Sequence, residues 1–213
     1  MAEVPAYETY VRQSAGRILQ EASEFFMQRG NVYQALRDLA RRLGECGIPY
    51  AVVGAVALGH HGLARMTLDI DILLTPEGLA EFKARYLGRG YVPAFPGAEK
   101  TFRASDTGVR IEVITTGEYP GDGLPKPVSF PHPREASVEI EGIRVITLER
   151  LVELKLASGM TAAHRLRDLA DVQDLIRLLR LPAEFADRLD DSVRPLYQKL
   201  WSQAQAPDRL QEG

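Results

Sequence analysis

Residues 52–71 have the sequence VVGAVALGHHGLARMTLDID, which ends in two carboxylates. Its first residues belong to a short apolar run that stops at Gly54, as expected of a buried strand. Its last residues alternate between apolar and acidic side chains, which is the period of a strand with one solvated face. Asp69 and Asp71 then project from the same face of that strand. The stretch predicts two strands of a sheet joined by a helical turn.

The rest of the chain predicts an α+β fold, with a mixed β-sheet core and helices, followed by a C-terminal helical region. Helical periodicity covers residues 7–28, which we expect to form one helix. We expect residues 1–146 to form the core together with these N-terminal helices. We expect residues 147–213 to form the C-terminal helical region, which can pack with the core as one domain. Within it, Gly159 is predicted to end the first helix.

Composition restricts the class of protein. The chain has 213 residues, of which 45% are hydrophobic and 26% are charged, values typical of a soluble globular protein. A net charge of −3 argues against a protein that coats nucleic acid nonspecifically. The single cysteine, Cys46, makes no intrachain disulfide and fits a reducing cytoplasm. The N-terminus does not resemble a secretory signal, and no apolar run reaches the ~20 residues that span a bilayer, so we expect a cytoplasmic protein without a membrane partner.

The two aspartates suggest a metal site. The Cβ atoms of Asp69 and Asp71 lie roughly 7 Å apart by strand geometry. Two carboxylates at this distance repel each other unless a cation binds between them. Their hard oxygen ligands suit Mg²⁺ or Mn²⁺ rather than zinc. The alternative is a solvent-facing strand that carries two aspartates without binding a metal.

Glu112 is a candidate for a third carboxylate. It lies in the middle of a predicted strand, residues 109–115, on the solvated face of that strand. If this strand pairs beside the one with the two aspartates, Glu112 completes a carboxylate triad. The alternative is a surface glutamate paired with Arg110 or Arg103.

Three residues near the aspartates are candidates for phosphate contacts. Gly54, at the end of a buried strand and before a helix, lets the backbone approach a phosphate. Arg65 offers paired donors, and Thr67 offers a hydroxyl. The alternatives are an ordinary strand-to-helix turn at Gly54 and local loop contacts for Arg65 and Thr67.

Gly54-Ala55, followed after residues 56–68 by Asp69-Ile70-Asp71, resembles the glycine-then-Asp-x-Asp signature of minimal nucleotidyltransferases in the polymerase-β superfamily. The order Gly-x-x-Ala-Leu, His-Gly, Arg-x-Thr and Asp-Ile-Asp is more closely similar to AbiEii-like and MNT-type proteins. The chain departs from the family at Ala55, where Gly or Ser is usual. This change keeps the backbone amide but removes a serine hydroxyl contact.

The resemblance extends into the C-terminal helices. Lys155 and the run Arg167-Asp168-x-x-Asp171 resemble the Lys motif and the Arg/Lys-Asp-x-x-Asp motif of AbiEii-like proteins. Asp168 and Asp171 are three residues apart and share a helix face. Lys155 can contact a phosphate or pair with one of these acids. The alternative is an ordinary ion pair between Arg167 and Asp171 on a solvated helix.

The resemblance implies a metal-dependent nucleotidyltransferase that moves a nucleoside monophosphate from a nucleoside triphosphate to an acceptor hydroxyl on RNA, protein or a small molecule. Its cofactor would be Mg²⁺ or Mn²⁺. The family includes toxins of abortive-infection systems, so the resemblance also implies a toxin–antitoxin or phage-defence role and an antitoxin partner. The implied catalytic and metal-binding residues are Asp69, Asp71 and Glu112. The implied nucleotide-binding residues are Gly54, Ala55, Arg65, Thr67, Lys155, Asp168 and Asp171.

Two other functions remain open from the sequence. The chain can be a degenerate nucleotidyltransferase fold that binds a nucleotide, RNA or protein without catalysis, which the change at Ala55 permits. The carboxylates can also serve a metal-dependent hydrolase, which releases phosphate without forming an adduct.

Overall fold

The computed structural model describes residues 6–206, which form a mixed α+β fold around one seven-stranded sheet. This confirms the predicted fold class. The helices are α1 (Tyr7–Val11), α2 (Ala15–Phe26), α3 (Gly30–Glu45), α4 (Gly54–His60), α5 (Pro76–Tyr86), α6 (Leu148–Thr161), α7 (Leu166–Leu179) and α8 (Arg194–Ala204). The strands are β1 (Tyr50–Val52), β2 (Asp69–Leu74), β3 (Tyr91–Pro93), β4 (Thr101–Ala104), β5 (Arg110–Thr115), β6 (Ser137–Ile140) and β7 (Ile143–Ile146). Two 3₁₀ turns, Ala163–Arg165 and Ala183–Arg188, flank α7.

The strand order in the sheet is β3-β4-β5-β2-β1-β7-β6. β2 lies at the centre, parallel to β5 and antiparallel to β1. The two ends of the sheet are antiparallel pairs, β3 with β4 and β6 with β7. The central position of β2 means that both of its edges are hydrogen-bonded, so its register is specified from two sides.

The two faces of β2 differ in burial. Ile70 and Ile72 are almost completely buried, whereas Asp69 and Asp71 are half-buried on the opposite face. β5 repeats this alternation, with Ile111 buried and Glu112 half-buried. The alternation predicted from the sequence therefore produces a sheet with one apolar core face and one partly solvated face.

The chain divides into two compact units. The first comprises the described residues up to His60 together with residues 64–117 and 131–146, and it contains the sheet. The second comprises residues 61–63 and 118–130 and the helices that follow Thr147. Residues 1–5 and 207–213, the ends of the two predicted regions, lie outside the described part of the chain. Within residues 6–206, no helix has the length and apolarity that crossing a bilayer requires.

Two helix predictions were wrong. Residues 7–28 form two helices instead of one, because Ser14 adopts an extended conformation and its side chain caps α2 by accepting a hydrogen bond from the Arg17 backbone at 3.2 Å. Gly159 does not end α6, which continues to Thr161. A Cβ at position 159 would lie 2.4 Å from Leu169 Cδ2, so the glycine serves close packing between α6 and α7.

The strand β3 was not predicted. Its three residues are followed by a proline-containing loop and give little period-2 signal. β3 forms because β4 offers it a hydrogen-bonding edge, with Tyr91 opposite Ala104. Tyr91 is buried and its ring packs against Phe82 of α5 at a centroid distance of 5.0 Å. This edge strand depends on tertiary contacts rather than on local sequence.

Candidate functional site

The parallel pairing of β2 and β5 brings three carboxylates to one face of the sheet. Asp69 lies opposite Arg110 and Asp71 lies opposite Glu112 in the register. Residues that are paired across strands point to the same side, and neighbouring strands are about 4.8 Å apart. The structure therefore places Asp69, Asp71 and Glu112 on one patch of the solvated face, as two adjacent rows.

The side chain of Glu112 is bound by Arg110. The Arg110 Nη2 atom donates to Glu112 Oε2 at 2.8 Å, and the two side chains are 39% and 43% exposed. This ion pair is one of the alternatives that the sequence left open for Glu112. Within residues 6–206, no group of three or more His, Cys, Asp or Glu side chains is already arranged to hold a metal ion.

Gly54 packs directly against the carboxylate of Asp71. It has a φ of +65°, and a Cβ on Gly54 would lie 1.9 Å from Asp71 Oδ2 and 2.8 Å from Cγ. The preceding residue, Val53, donates its backbone N–H to the Asp71 carbonyl at 3.0 Å. Any side chain at position 54 would have to displace the Asp71 carboxylate. The observed contact of Gly54 is thus with Asp71, and its predicted phosphate contact stays a prediction.

Thr67 holds the other aspartate. Its hydroxyl donates to Asp69 Oδ1, and the Asp69 backbone N–H donates back to the same hydroxyl at 3.4 Å. This is the local loop contact considered from the sequence, and it orients the first carboxylate of β2. Arg65 is half-buried just before Thr67, and Ala55 is buried in the first turn of α4.

A cavity of about 440 Å³ lies beside Asp69. Its wall combines polar and apolar side chains from α1, α2, the segment before β2, and β5: Glu8, Val11, Arg12, Ile18, Met66, Thr67, Leu68, Asp69 and Arg110. Its volume falls in the range of small-molecule sites. One wall of the cavity is thus the same row of the sheet that holds Asp69 and Arg110.

The helix α1 is tied to this face by an ion pair. Arg103 on β4 donates to both carboxylate oxygens of Glu8, at 2.8 and 2.6 Å, and to the Gly108 carbonyl at 3.0 Å. The hydrogen bond from Arg103 lowers the pKa of Glu8 below its ordinary value, against the opposing effect of burial. A bidentate pair of this kind fixes geometry as well as charge. It anchors α1 where it forms the cavity wall.

The second unit contains a separate cluster of the other predicted site residues. The Lys155 ammonium on α6 donates to Asp168 at 2.9 Å and to Asp171 at 2.7 Å, both on α7. Ser158 donates to the other oxygen of Asp168 at 2.7 Å. The pairing of Lys155 with these acids was one of the two roles considered for it. Its phosphate contact, and the nucleotide-binding roles of Asp168 and Asp171, stay predictions.

The pKa of Asp168 shows the balance of forces in this second cluster. Burial by itself would raise the pKa, because it disfavours the charged carboxylate. The Lys155 charge and the hydrogen bonds from Lys155 and Ser158 outweigh burial, so the pKa of Asp168 lies below its ordinary value. The carboxylate is therefore ionised and compensated within the unit.

The donor set on the sheet fits a hard divalent cation. Carboxylate oxygens are the ligands that Mg²⁺ and Mn²⁺ prefer. The glycine at position 54 leaves the space that the Asp71 carboxylate occupies. Asp69 and Asp71 are presented on one face with Glu112 in register. Glu112 would have to release Arg110 before both of its oxygens could serve as ligands.

Sequence reasoning missed two features of this face. Arg110 was considered only as a surface partner of Glu112, although its position two residues earlier places it on the same face and beside Asp69. That placement becomes visible once the parallel register is known. The contribution of Glu8 and Arg12 to the cavity had no signal in the sequence, because it depends on how α1 packs against β4.

No protein-family model and no curated protein matches the chain. Solved structures do show similarity. A protein of Thermotoga maritima assigned as a nucleotidyltransferase has 21% sequence identity and a TM-score of 0.46, with 66% of this chain and 91% of that chain covered. JHP933 from Helicobacter pylori has 18% identity and a TM-score of 0.45, with 82% and 89% covered.

A third similar structure is ANT(2'')-Ia in complex with adenylyl-2''-tobramycin. Its identity is 14% and its TM-score is 0.45, with 74% of this chain and 91% of that chain covered. At such identities and TM-scores, the function has to be argued from the site itself.

Proposed function

We propose that this protein is a metal-dependent nucleotidyltransferase whose reaction takes place at the Asp69/Asp71 face of the sheet. The observation that carries the proposal is the register of β2 and β5, which places Asp69, Asp71 and Glu112 on one partly solvated patch. Their carboxylate oxygens are presented together on this patch, and Arg110 is bound to Glu112. A bound cation is the simplest way to stabilise such a patch.

Asp69 and Asp71 are the proposed metal ligands, with Glu112 as the third carboxylate. A divalent cation held by these residues would neutralise the charge of a triphosphate and would lower the pKa of an acceptor hydroxyl. The protein supplies position. Thr67 orients the Asp69 carboxylate, and Gly54 leaves room for that of Asp71. Preorganised carboxylates of this kind need little rearrangement when the ligands bind.

The cavity beside Asp69 is the proposed place for the acceptor. Gly54 contacts Asp71, at one end of the aspartate pair, and the cavity opens beside Asp69, at the other end. The nucleoside triphosphate and the acceptor can therefore approach the carboxylates from different sides. Arg65, in the segment before β2, is the proposed phosphate contact. The finer assignment to AbiEii-like or MNT-type toxins, with an antitoxin partner, is part of this proposal and is supported by the sequence motifs.

A transfer assay tests the proposal. The wild-type protein is incubated with each labelled nucleoside triphosphate, Mg²⁺, and total cellular RNA and protein. We expect label to appear in one class of acceptor. The Asp69→Ala variant should transfer no label while it keeps the wild-type melting temperature, because Asp69 lies on the solvated face and not in the core.

The matched control is Asp106→Asn, which changes an exposed acid in the turn between β4 and β5. This variant should retain full transfer. Full transfer activity in Asp69→Ala would contradict the assignment of the reaction to the Asp69/Asp71 face. Binding of the triphosphate without transfer to any acceptor would favour a noncatalytic binding module, and release of phosphate without an adduct would favour a hydrolase.

A further inference from the structure

Arg110 is the one cation within the row of acids on β2 and β5. It is the register partner of Asp69 and lies two residues before Glu112 on the same strand face. Its guanidinium already binds the Glu112 carboxylate at 2.8 Å. A carboxylate that is bound in this way cannot give both oxygens to a metal ion. Arg110 and a divalent cation therefore compete for Glu112.

The guanidinium of Arg110 is incompletely satisfied in this arrangement. Its Nε atom is buried and has no hydrogen-bond partner among residues 6–206. Leaving a buried donor without a partner is unfavourable, so the contact with Glu112 does not use all the donors of Arg110. The side chain also lines the cavity beside Asp69, which offers space into which it can move.

The pair is weak enough to be displaced. Both side chains are about two-fifths exposed, at 39% and 43%, and ion pairs with this exposure contribute little to stability. A divalent cation carries twice the charge of a guanidinium and would sit between the carboxylates of two strands. The balance of charge therefore favours the metal once it is present at sufficient concentration.

We propose that Arg110 is a positioning residue that controls metal loading at this site. In the metal-free protein it acts as the counterion of Glu112 and holds that carboxylate away from the aspartate pair. Metal binding recruits both oxygens of Glu112 only when the Arg110–Glu112 ion pair breaks. This inference rests on the proposed function, because it assumes a metal site at Asp69 and Asp71.

A double-mutant cycle with Mn²⁺ as the probe tests the inference. Mn²⁺ affinity is measured by calorimetry and by electron paramagnetic resonance for the wild type, Arg110→Gln, Glu112→Gln and the double variant. We expect Arg110→Gln to bind Mn²⁺ about three- to ten-fold more tightly, as loss of a competing weak ion pair would allow. The gain should disappear when Glu112→Gln is also present, because the competition requires the Glu112 carboxylate.

The cycle separates competition from simple charge removal. Loss of a nearby positive charge would raise Mn²⁺ affinity whether or not Glu112 is present. A gain of equal size in the Glu112→Gln background would therefore overturn the inference. Arg110→Lys keeps the charge and should stay close to wild type.

A control on another strand pair guards against a general effect. Arg144→Gln changes a half-exposed arginine of β7 that faces Glu139 at 3.8 Å, and it should leave Mn²⁺ affinity unchanged. Mn²⁺ binding that depends on Asp71 but not on Arg110 would overturn the role of Arg110 and leave the metal site intact. Absence of Mn²⁺ binding in every variant would overturn the metal site as well.

Discussion

Two clusters in this protein combine aspartates with a basic side chain, and they differ in burial. On the sheet, Asp69, Asp71 and Glu112 share one face with Arg110, and the Arg110–Glu112 pair is about two-fifths exposed. In the second unit, Lys155, Asp168 and Asp171 have side chains that are 8%, 15% and 7% exposed. The side chains of the second cluster are therefore much less exposed than the Arg110–Glu112 pair of the first.

The contrast shows that two groups of paired carboxylates can differ in how far the surrounding fold encloses them. The buried cluster satisfies its charges internally, through contacts of 2.7–2.9 Å between Lys155, Ser158 and the two aspartates. The sheet cluster is reached by solvent and borders a cavity through Asp69 and Arg110. Removing a charge should therefore harm function in the first cluster and folding in the second.

The largest expected effect is on activity in the sheet cluster. Asp71→Asn keeps the shape of the side chain but removes the charge that would hold a cation. We expect nucleotidyl transfer to fall by at least about 10²–10³-fold, the usual result of removing a preorganised electrostatic contact. The melting temperature should change little, because Asp71 is half-buried on the solvated face of the sheet. Single-turnover transfer and thermal unfolding measure the two effects.

Asp171→Asn is the counterpart in the other cluster. It should lower the melting temperature, whereas Asp174→Asn, an exposed neighbour on the same helix, should not. A loss of stability in Asp71→Asn that is comparable to that in Asp171→Asn would contradict the proposed difference between the two clusters.

The largest effect on stability is expected at Lys155. Lys155→Met removes the ammonium that Asp168 and Asp171 share, so a buried and a half-buried carboxylate each lose their ion-pair partner. Breaking a buried ion pair by removing one partner typically costs about 3–5 kcal/mol of unfolding free energy. Chemical denaturation measures this loss. The triple variant that adds Asp168→Asn and Asp171→Asn should recover a large part of it, because no buried charge then remains.

The Lys155→Met variant also distinguishes a structural role of Lys155 from a phosphate contact. Nucleotide affinity is measured on the folded fraction of Lys155→Met. Wild-type affinity would mean that Lys155 serves the packing of α6 on α7. A loss of affinity out of proportion to the unfolded fraction would support the phosphate contact predicted from the sequence.

Gly54→Ala tests whether the sheet cluster depends on backbone as well as on charge. The new Cβ would collide with the Asp71 carboxylate, and alanine is strained at a φ of +65°. We expect a cost of about 1–3 kcal/mol in unfolding free energy and a weaker affinity for Mn²⁺. Gly59→Ala, in the same helix with no atom within 4 Å of the added Cβ, is the matched control and should be neutral or stabilising.

The smallest effect concerns pH. The pKa of Asp168 is lowered in the folded protein, so its contribution to stability is present above the ordinary value of 3.8 and is lost as pH falls through the folded pKa. Asp168→Asn lacks this term. Below pH 4, its unfolding free energy should fall with a slope that is shallower by up to about 1.4 kcal/mol per pH unit, one proton's contribution. Parallel slopes for the two proteins would contradict the compensation of Asp168 by Lys155.

The fold class and the strands that form the candidate site could be predicted from the sequence alone. β2 and β5 alternate cleanly between apolar and polar side chains, so the faces of Asp69 and Glu112 could be read locally. Whether these strands pair, and in which register, depends on contacts between distant parts of the chain. The same is true of β3, which forms on the edge that β4 supplies.

Local competition explains the remaining errors. Ser14 interrupts a pattern that is helical on both sides, because its side chain caps α2. Gly159 was predicted to stop α6 on propensity, but the packing of Leu169 favours a glycine within the helix. The sequence could not decide whether Glu112 is a metal ligand or part of an ion pair, because both interpretations place it on the same face of the strand.

Because of the parallel register of β2 and β5, a change that shifts β2 during evolution alters the candidate site and the core together. Side chains alternate with a period of two, so a shift of one residue in β2 would bury Asp69 and Asp71 and expose Ile70 and Ile72. An insertion inside this strand is therefore selected against by folding even in a chain that has lost all activity. Homologous chains should therefore keep this register whether or not they catalyse a reaction, and the row of acids can change only by substitution at single positions.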